Sequence, residues 1–381
     1  MKILINTSNL YVGGGLQVAL SFINELKDLN THNEYYIFLS QATNKQIDQK
    51  KFTDNFYFYL IEKSPASLKT RKKIIAKLNS LEDHIKPDII FSVFGPSYWK
   101  PKAKHVMGFA VPWVLQKDSV AYSELNFLKR IKMRLWVEYV SYYSKIDASH
   151  YIIETEDGKD RLSNVLGIEK KNISVVGNCY SAVFNDSDYL LKNNPNYIQL
   201  PVREKNEFRF LLISHNYPHK NLKIINQVIP LLKNYNVKFV LTVDEESYNL
   251  LFPDKLKQVL NIGPVNQESC PSLYCQCDAI FLPTLLEVFS AAYPEAMKMK
   301  IPILTSNYSF SKGVCHGAAF YFNPLNPIEI ADKIKILISD QTLQINLVKK
   351  GAQQLKNFET AKSRAEKYIT ICENLVNQEK K

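Results

Sequence analysis

Short apolar segments alternate with helical patterns along most of this chain, and the alternation starts twice. Near the N-terminus, the apolar run Lys2–Asn6 precedes a helical spacing over 16–29. After a polar, unpatterned stretch at 186–205, the pattern restarts with an apolar run at 208–213 and a helical segment at 221–232. Strands that alternate with helices form βαβ units around a mainly parallel sheet. The sequence therefore predicts an α/β protein with two such sheets.

The remaining predicted elements are short and keep the same order. Strands are expected at 35–39, 56–61, 89–94, 237–243, Ala279–Leu282 and 301–305. The segment 301–305 is the last clear strand of the series. Helices are expected at 74–85 and 359–376. A length of 381 residues suits two domains, because domains usually hold about 100–200 residues. We predict an N-terminal Rossmann-like domain over 1–190, a C-terminal Rossmann-like domain over 200–358 and a C-terminal helix over 359–381 that crosses back to the first domain.

The segment 283–297 is the most informative one for function. Parallel sheets bind ligands outside the carboxyl ends of their strands, and this segment leads from the strand Ala279–Leu282 into a predicted helix at 292–299. It places Glu287 in the loop and Glu295 in the first helical turn, where unpaired N–H groups suit a phosphate. The two carboxylates could accept hydrogen bonds from sugar or ribose hydroxyls. Equally, Glu295 could only complement the helix dipole while Glu287 is solvated.

Two further segments follow predicted strands. In 214–222, Lys220 can neutralise an oxyanion as a compact point charge, and His215 and His219 can donate hydrogen bonds. A lone lysine at such a position is more often a solvated surface residue. The loop glycines at 13–15 allow a backbone to approach a ligand closely. Their spacing matches neither the dinucleotide-binding fingerprint nor the P-loop.

The charge balance points to phosphate-bearing partners. The chain has 48 Lys and Arg against 37 Asp and Glu, a formal net charge of +11, which suits nucleic acid, anionic lipid or diphosphate substrates. Leucines and aromatic residues flank the second of two basic segments, as in helices at anionic membrane interfaces, although a solvated face with a buried apolar stripe is the commoner arrangement. The first segment contains Lys69, Arg71, Lys72, Lys73 and Lys77, and the second contains Lys129, Arg130, Lys132 and Arg134.

Several classes of protein are disfavoured. Six cysteines are too few for a disulfide scaffold, and Cys270, Cys275 and Cys277 lack zinc-ligand spacing, so no metal is expected. No segment approaches the roughly 20 apolar residues of a membrane-spanning helix, and the N-terminus turns polar too soon for a signal peptide. No recognised nucleic-acid motif is present. We expect a cytoplasmic protein, with attachment to a membrane surface as the alternative.

Three motifs together resemble a known enzyme family. The residues Glu287-Val288-Phe289-Ser290 and Glu295-Ala296-Met297 are similar to a pattern E-G-F-G-x-x-x-x-E-A-M. The segment 214–221 is similar to G-R-x-x-P-x-K-N, and 315–324 to G-D-A-A-x-Y-F-D-P. These patterns are those of retaining GT-B glycosyltransferases of the family 4 type, here closest to bacterial surface-polysaccharide branches. The resemblance covers most of the chain and is strongest over 208–325.

The resemblance implies a GT-B fold, in which two Rossmann-like, doubly wound domains face each other across a cleft. It implies that Lys220 holds the donor diphosphate, that Glu287 contacts hydroxyls of the transferred sugar, and that Glu295 contacts the ribose. Glu287 and Lys220 are then the catalytic residues, and the only small molecule implied is a nucleotide-diphosphate sugar, with neither metal nor cofactor. The implied donor-binding residues are Gly14, Gly15, His215, Lys220, Glu287, Phe289, Ser290 and Glu295.

The expected function is transfer of a sugar from a nucleotide-diphosphate sugar to a growing, lipid-linked surface glycan at the inner face of the cytoplasmic membrane. Its expected partners are the donor, the glycan acceptor and an anionic membrane surface, but not nucleic acid. The chain departs from the family where His215 replaces an arginine, where Val288 and Ser290 replace glycines, and where 106–112 lacks an acceptor-domain histidine. The alternative is therefore a weakly active or inactive GT-B protein that binds a nucleotide sugar or scaffolds a biosynthetic complex.

Overall fold

A computed structural model of the chain describes residues 1–29 and 32–379, and its residues form two compact units. The first unit contains 1–117, 131–178 and 359–381, and the second contains 118–130 and 179–358. Residues 118–130 and 179–190, which the sequence analysis assigned to the N-terminal domain, are thus grouped with the second unit. Residues 30–31 and 380–381 of the predicted segments lie outside the described residues.

The first unit is built on a seven-stranded, wholly parallel sheet with the strand order β3-β2-β1-β4-β5-β6-β7. The strands are β1 (Lys2–Asn6), β2 (Glu34–Leu39), β3 (Phe56–Leu60), β4 (Ile89–Ser92), β5 (Lys104–Gly108), β6 (His150–Ile153) and β7 (Ile173–Val175). The helices of this half of the chain are α1 (Gly13–Leu26), α2 (Gln41–Asn44), α3 (Arg71–Ile85), α4 (Pro112–Leu115), α5 (Phe127–Asp147) and α6 (Glu156–Leu166).

The second unit repeats the architecture with a six-stranded parallel sheet in the order β10-β9-β8-β11-β12-β13. Its strands are β8 (Phe208–Leu212), β9 (Val237–Leu241), β10 (Val259–Asn261), β11 (Ala279–Leu282), β12 (Ile303–Ser306) and β13 (Ala319–Phe322). The helices that follow β8 are α7 (Ile225–Val228), α8 (Glu245–Leu251), α9 (Cys270–Tyr274), α10 (Ala292–Lys298), α11 (Ser309–Cys315), α12 (Pro327–Ser339) and α13 (Gln341–Gln354), and then α14 (Ala361–Glu379) of the first unit.

Both faces of each sheet are buried, which explains why the strands are continuously apolar. In β1, Ile3 and Ile5 pack on the side of α1 and α14, whereas Leu4 packs on the opposite side with Leu78 of α3. In β8, Phe210 and Leu211 likewise belong to two different core clusters. Alternate side chains of a strand point to opposite faces, so a sheet covered by helices on both sides needs apolar residues at every position. The predicted α/β class with two Rossmann-like sheets is confirmed.

The structure corrects three predictions about individual elements. The glycines at 13–15 are not a loop: Gly13, at φ +76°, opens α1. The single helix predicted over 221–232 is instead a short α7 between 3-10 turns, because Asn221 has a left-handed backbone and Pro230 cannot donate a helical hydrogen bond. The segment 301–305 does not end the series of strands, since β13 follows it as an edge strand.

Within the described part of the chain, no helix is both long and apolar enough to cross a membrane.

Candidate functional site

The candidate site lies where the second sheet changes direction. Strand β8 is the first strand of this sheet in the chain, and it lies between β9, which follows it, and β11, which comes later. The loops after β8 and β11 therefore leave the sheet side by side and open a crevice at its carboxyl edge. A small pocket lies there, lined by Ser214, Lys220, Thr284, Glu287 and Ser290 among others.

An ion pair joins the two loops across this pocket. Lys220 Nζ donates a hydrogen bond to the Glu287 carboxylate, and both side chains are mostly buried. The backbone reinforces the pair, because the carbonyl of His219 accepts hydrogen bonds from Leu285 N at 2.7 Å and from Thr284 Oγ1 at 3.2 Å. The structure thus brings together a lysine and a glutamate that are 67 positions apart in the chain. Together they present one positive and one negative group to the pocket.

The backbone conformation of Asn221 sets the position of Lys220. Asn221 adopts φ 53° and ψ 33°, a left-handed conformation that asparagine tolerates better than most residues. Its buried side chain donates through Nδ2 to the carbonyl of Pro324 at 2.9 Å. Because Pro324 ends the segment 315–324, all three family-like segments meet at this edge of the second sheet.

Glu295 lies in a different environment from Glu287. It is buried in the first turn of α10, and Tyr274 of α9 donates its hydroxyl to Glu295 Oε2 at 2.8 Å. Burial raises the pKa of Glu295 to about 7, although the hydrogen bond from Tyr274 acts to lower it. Glu295 is therefore hydrogen-bonded to a neutral hydroxyl, that of Tyr274, whereas Glu287 is paired with the ammonium group of Lys220.

The other predicted donor-site residues differ in exposure. His215 is exposed beside Tyr217, with ring centroids 5.6 Å apart. Phe289 and Ser290 are partly buried, and the Phe289 ring lies 6.1 Å from that of Phe358. Gly14 and Gly15 belong to the first unit, in the opening turn of α1, and a Cβ added at Gly14 would meet no atom within 4 Å.

The sequence analysis missed three residues that support this site: Tyr274, Thr284 and Asn221. Asn221 had a local signal, since an asparagine after a polar turn is typical of a left-handed position. Thr284 and Tyr274 had none, because each acts on a residue from a distant segment. For His219, which the sequence analysis offers as a hydrogen-bond donor, burial and the neighbouring Lys220 lower the pKa to about 3, so its imidazole is neutral. Among the residues described, no group of three potential metal ligands occurs.

Comparison with protein families agrees with this geometry. Residues 194–354 match the family model described as glycosyl transferases group 1. This part of the chain is similar to the glycosyl transferases group 1 domain. Among curated proteins, no sequence matches the chain significantly.

Solved structures share the fold of the whole chain. HepE of Anabaena, in complex with UDP and glucose, has 15% identity and a TM-score of 0.69, over 97% of this chain and 99% of its own. Sucrose-phosphate synthase of Thermosynechococcus elongatus has 11% identity and a TM-score of 0.73, over 99% and 100%. WaaG, a glycosyltransferase involved in lipopolysaccharide biosynthesis, has 12% identity and a TM-score of 0.71, over 97% and 99%. The chain therefore has the GT-B glycosyltransferase fold.

The buried carboxyl of Glu295 makes the stability of the second unit depend on pH. The ordinary pKa of this carboxyl is 4.5 and the folded value is about 7, so between these values the folded state holds a proton that the unfolded state has lost. Stability must then fall as pH rises through this range. We compare the free energy of unfolding of the protein with that of the Glu295→Gln variant. The difference between the two should fall by on the order of 2–3 kcal/mol between pH 5 and pH 8.

Urea unfolding of the two proteins at a series of pH values measures this difference. Taking the difference cancels the other titrating groups, including Asp147, whose pKa burial also raises to about 7. Tyr274→Phe should steepen the fall, because it removes a hydrogen bond that favours the ionised carboxylate. Parallel stability curves for the protein and Glu295→Gln would contradict the prediction.

Proposed function

We propose that the protein is a retaining, metal-independent glycosyltransferase of the family 4 type. It transfers a sugar from a nucleotide-diphosphate sugar to a lipid-linked surface glycan on the cytoplasmic face of a membrane. The observation that carries the proposal is the Lys220–Glu287 pair in the pocket at the switch point of the second sheet. A cation for a diphosphate and a carboxylate for sugar hydroxyls are the two groups that such a donor requires.

The chemistry needs charge stabilisation more than proton transfer by the protein. The bond between the anomeric carbon and the diphosphate oxygen breaks, and the acceptor hydroxyl oxygen bonds to the same face of that carbon. The departing diphosphate keeps the electron pair and takes the acceptor's proton. Lys220 offsets the charge that develops on the leaving group, and Glu287 orients the sugar. Glu295 accepts hydrogen bonds from the ribose.

The compared structures support the choice of donor and acceptor. The HepE structure holds UDP and glucose, and WaaG is involved in lipopolysaccharide biosynthesis. Both share the fold over nearly the full length of this chain. We infer a similar class of donor and an acceptor from surface-glycan synthesis for this protein.

Donor binding gives a direct test. A nucleoside diphosphate and its sugar conjugate should raise the melting temperature, because a ligand present at about 100 times its Kd adds roughly 2.7 kcal/mol to the stability. The matching nucleoside monophosphate should raise it less, since it lacks the phosphate that Lys220 contacts. Differential scanning fluorimetry across the common nucleotide sugars measures this shift. The absence of a shift with every nucleoside diphosphate would contradict the proposal.

Turnover separates an enzyme from a binding protein. The assay uses the donor that binds, a lipid-linked acceptor and EDTA to remove metal ions. Release of nucleoside diphosphate under these conditions would support a metal-independent transferase. An NMR spectrum showing that the product has the anomeric configuration of the donor would support retention. His215, exposed where the family has an arginine, is the observation that favours the alternative of a weakly active or inactive protein. Donor binding without any turnover would favour that alternative.

A further inference from the structure

One segment of the chain contacts both loops of the candidate site. Residues 118–130 follow α4 and include the first turn of α5, and they belong to the second compact unit. They lie outside 194–354, the part that matches the family model. We call Ser119–Glu124 the bridging segment; it consists of Ser119 and a 3-10 helix over Val120–Glu124. Its contacts indicate a role that the matched part of the chain does not supply.

Ser119, at the start of the bridging segment, contacts the loop that carries Glu287. Its hydroxyl donates to the carbonyl of Leu285 at 3.3 Å. The N–H of the same Leu285 donates to the carbonyl of His219 at 2.7 Å. Leu285 is thus held on both sides, its carbonyl by the bridging segment and its N–H by the loop that carries Lys220. Because Leu285 is buried and lies two positions before Glu287, these bonds fix the backbone from which the Glu287 side chain extends.

Glu124, at the end of the bridging segment, contacts the other loop. Its carboxylate forms an ion pair with Nζ of Lys223, three positions after Lys220. The Glu124 side chain is only 16% exposed, whereas that of Lys223 is 56% exposed. A carboxylate so far removed from water is costly without a cation, so this pair is more strongly constrained than an ordinary surface ion pair. The helix Val120–Glu124 also packs against the turn Pro218–Lys220 itself.

The bridging segment is itself well fixed, which it must be in order to hold two loops. Oγ of Ser119 accepts a hydrogen bond from Ala121 N at 3.2 Å, which caps the 3-10 helix. Ala121 and Tyr122 are buried. Arg130 donates to the carbonyls of Tyr122 at 3.0 Å and of Leu125 at 3.3 Å. One arginine of the second basic segment thus serves to hold the bridging segment.

We propose that Ser119 and Glu124 are positioning residues of the donor site. Through their partners in the two loops, they hold Lys220 and Glu287 at the separation at which both can bind one nucleotide-diphosphate sugar. This inference rests on the proposed function for its substrate, and it assigns part of the donor site to a segment outside the part that matches the family model. A displacement of about 1 Å at a reacting group can cost a hundredfold in rate, so a contact that only orders the loops has a measurable effect.

Hydrogen exchange at the Leu285 amide tests the contact directly, because this N–H joins the two loops. In Ser119→Ala combined with Glu124→Gln, the amide should exchange about tenfold faster, since the loops separate more often when the bridging segment releases them. Amides of the central strand β8 should exchange at their usual rate. Ser187→Ala combined with Glu246→Gln removes the same groups from exposed positions of the second unit. This matched control should leave the exchange of Leu285 unchanged.

Charge reversal separates positioning from a general loss of stability. Glu124→Lys and Lys223→Glu should each lower kcat for transfer by about tenfold, with a smaller change in the KM for the donor, because the loops still bind the donor but hold it less firmly. The double variant restores an ion pair of the opposite polarity and should recover most of the kcat and the slow exchange of Leu285. A merely structural role would lower the melting temperature without this split between kcat and KM.

The two kinds of measurement distinguish failure of this inference from failure of the proposed function. No transfer by the unaltered protein with any donor would refute the function, while hydrogen exchange would still decide whether the bridging segment joins the loops. Exchange of Leu285 that is unchanged by Ser119→Ala with Glu124→Gln would overturn the inference. Faster exchange with a normal kcat in an active protein would also overturn it, because the contact would then be structural only.

Discussion

Replacing Lys220 with alanine is expected to lower kcat/KM for sugar transfer by about two to three orders of magnitude, similar to the loss of one preorganised group that stabilises transition-state charge. Two effects add in this variant. The leaving diphosphate loses its positive partner, and Glu287 is left facing the diphosphate with an uncompensated negative charge. Steady-state transfer assays measure the loss, and binding of the free nucleoside diphosphate should weaken as well.

Controls for Lys220→Ala distinguish charge from folding. Lys233→Ala removes an exposed lysine from the same unit and should leave transfer unchanged. Adding Glu287→Gln to Lys220→Ala should cost less than the sum of the two single losses, because the repulsive carboxylate is then gone. Near-normal transfer by a correctly folded Lys220→Ala protein would contradict the assignment of Lys220 to the donor site.

Glu287→Gln is expected to lower kcat/KM by about a hundredfold while leaving affinity for the free nucleoside diphosphate nearly unchanged. The amide keeps the shape of the side chain but loses the charge that holds Lys220 and accepts hydrogen bonds from sugar hydroxyls. In this assignment the carboxylate faces the sugar and the lysine faces the phosphates. The two variants should therefore differ in nucleotide binding even though both lose transfer.

Calorimetric titration with a nucleoside diphosphate and with its sugar conjugate separates these effects. Glu246→Gln, in the exposed first turn of α8, is the matched control and should behave like the unaltered protein. If Glu287→Gln weakened the free nucleoside diphosphate as much as Lys220→Ala does, the division of roles between the two residues would be wrong.

The site could be predicted in part because its position follows from topology. Lys220 and Glu287 each follow an apolar strand, and parallel strands end at the same edge of a sheet. Their contact also required β8 and β11 to be neighbours, which is a property of strand order. The partner of Glu295 gave no sequence signal, because Tyr274 lies in an apolar helix and resembles an ordinary core residue.

Local sequence determined the two α/β halves, since strand and helix periodicities are properties of neighbouring residues and both sheets bury both faces. Tertiary structure alone decided which polar and apolar groups are covered. Arg71 belongs to a basic segment but is enclosed by tyrosines, whereas Leu128 and Leu135, two of the leucines beside the second basic segment, are exposed. An amphipathic pattern specifies that two sides of a helix differ. Which side is buried depends on the elements that pack against it, and these come from distant parts of the chain.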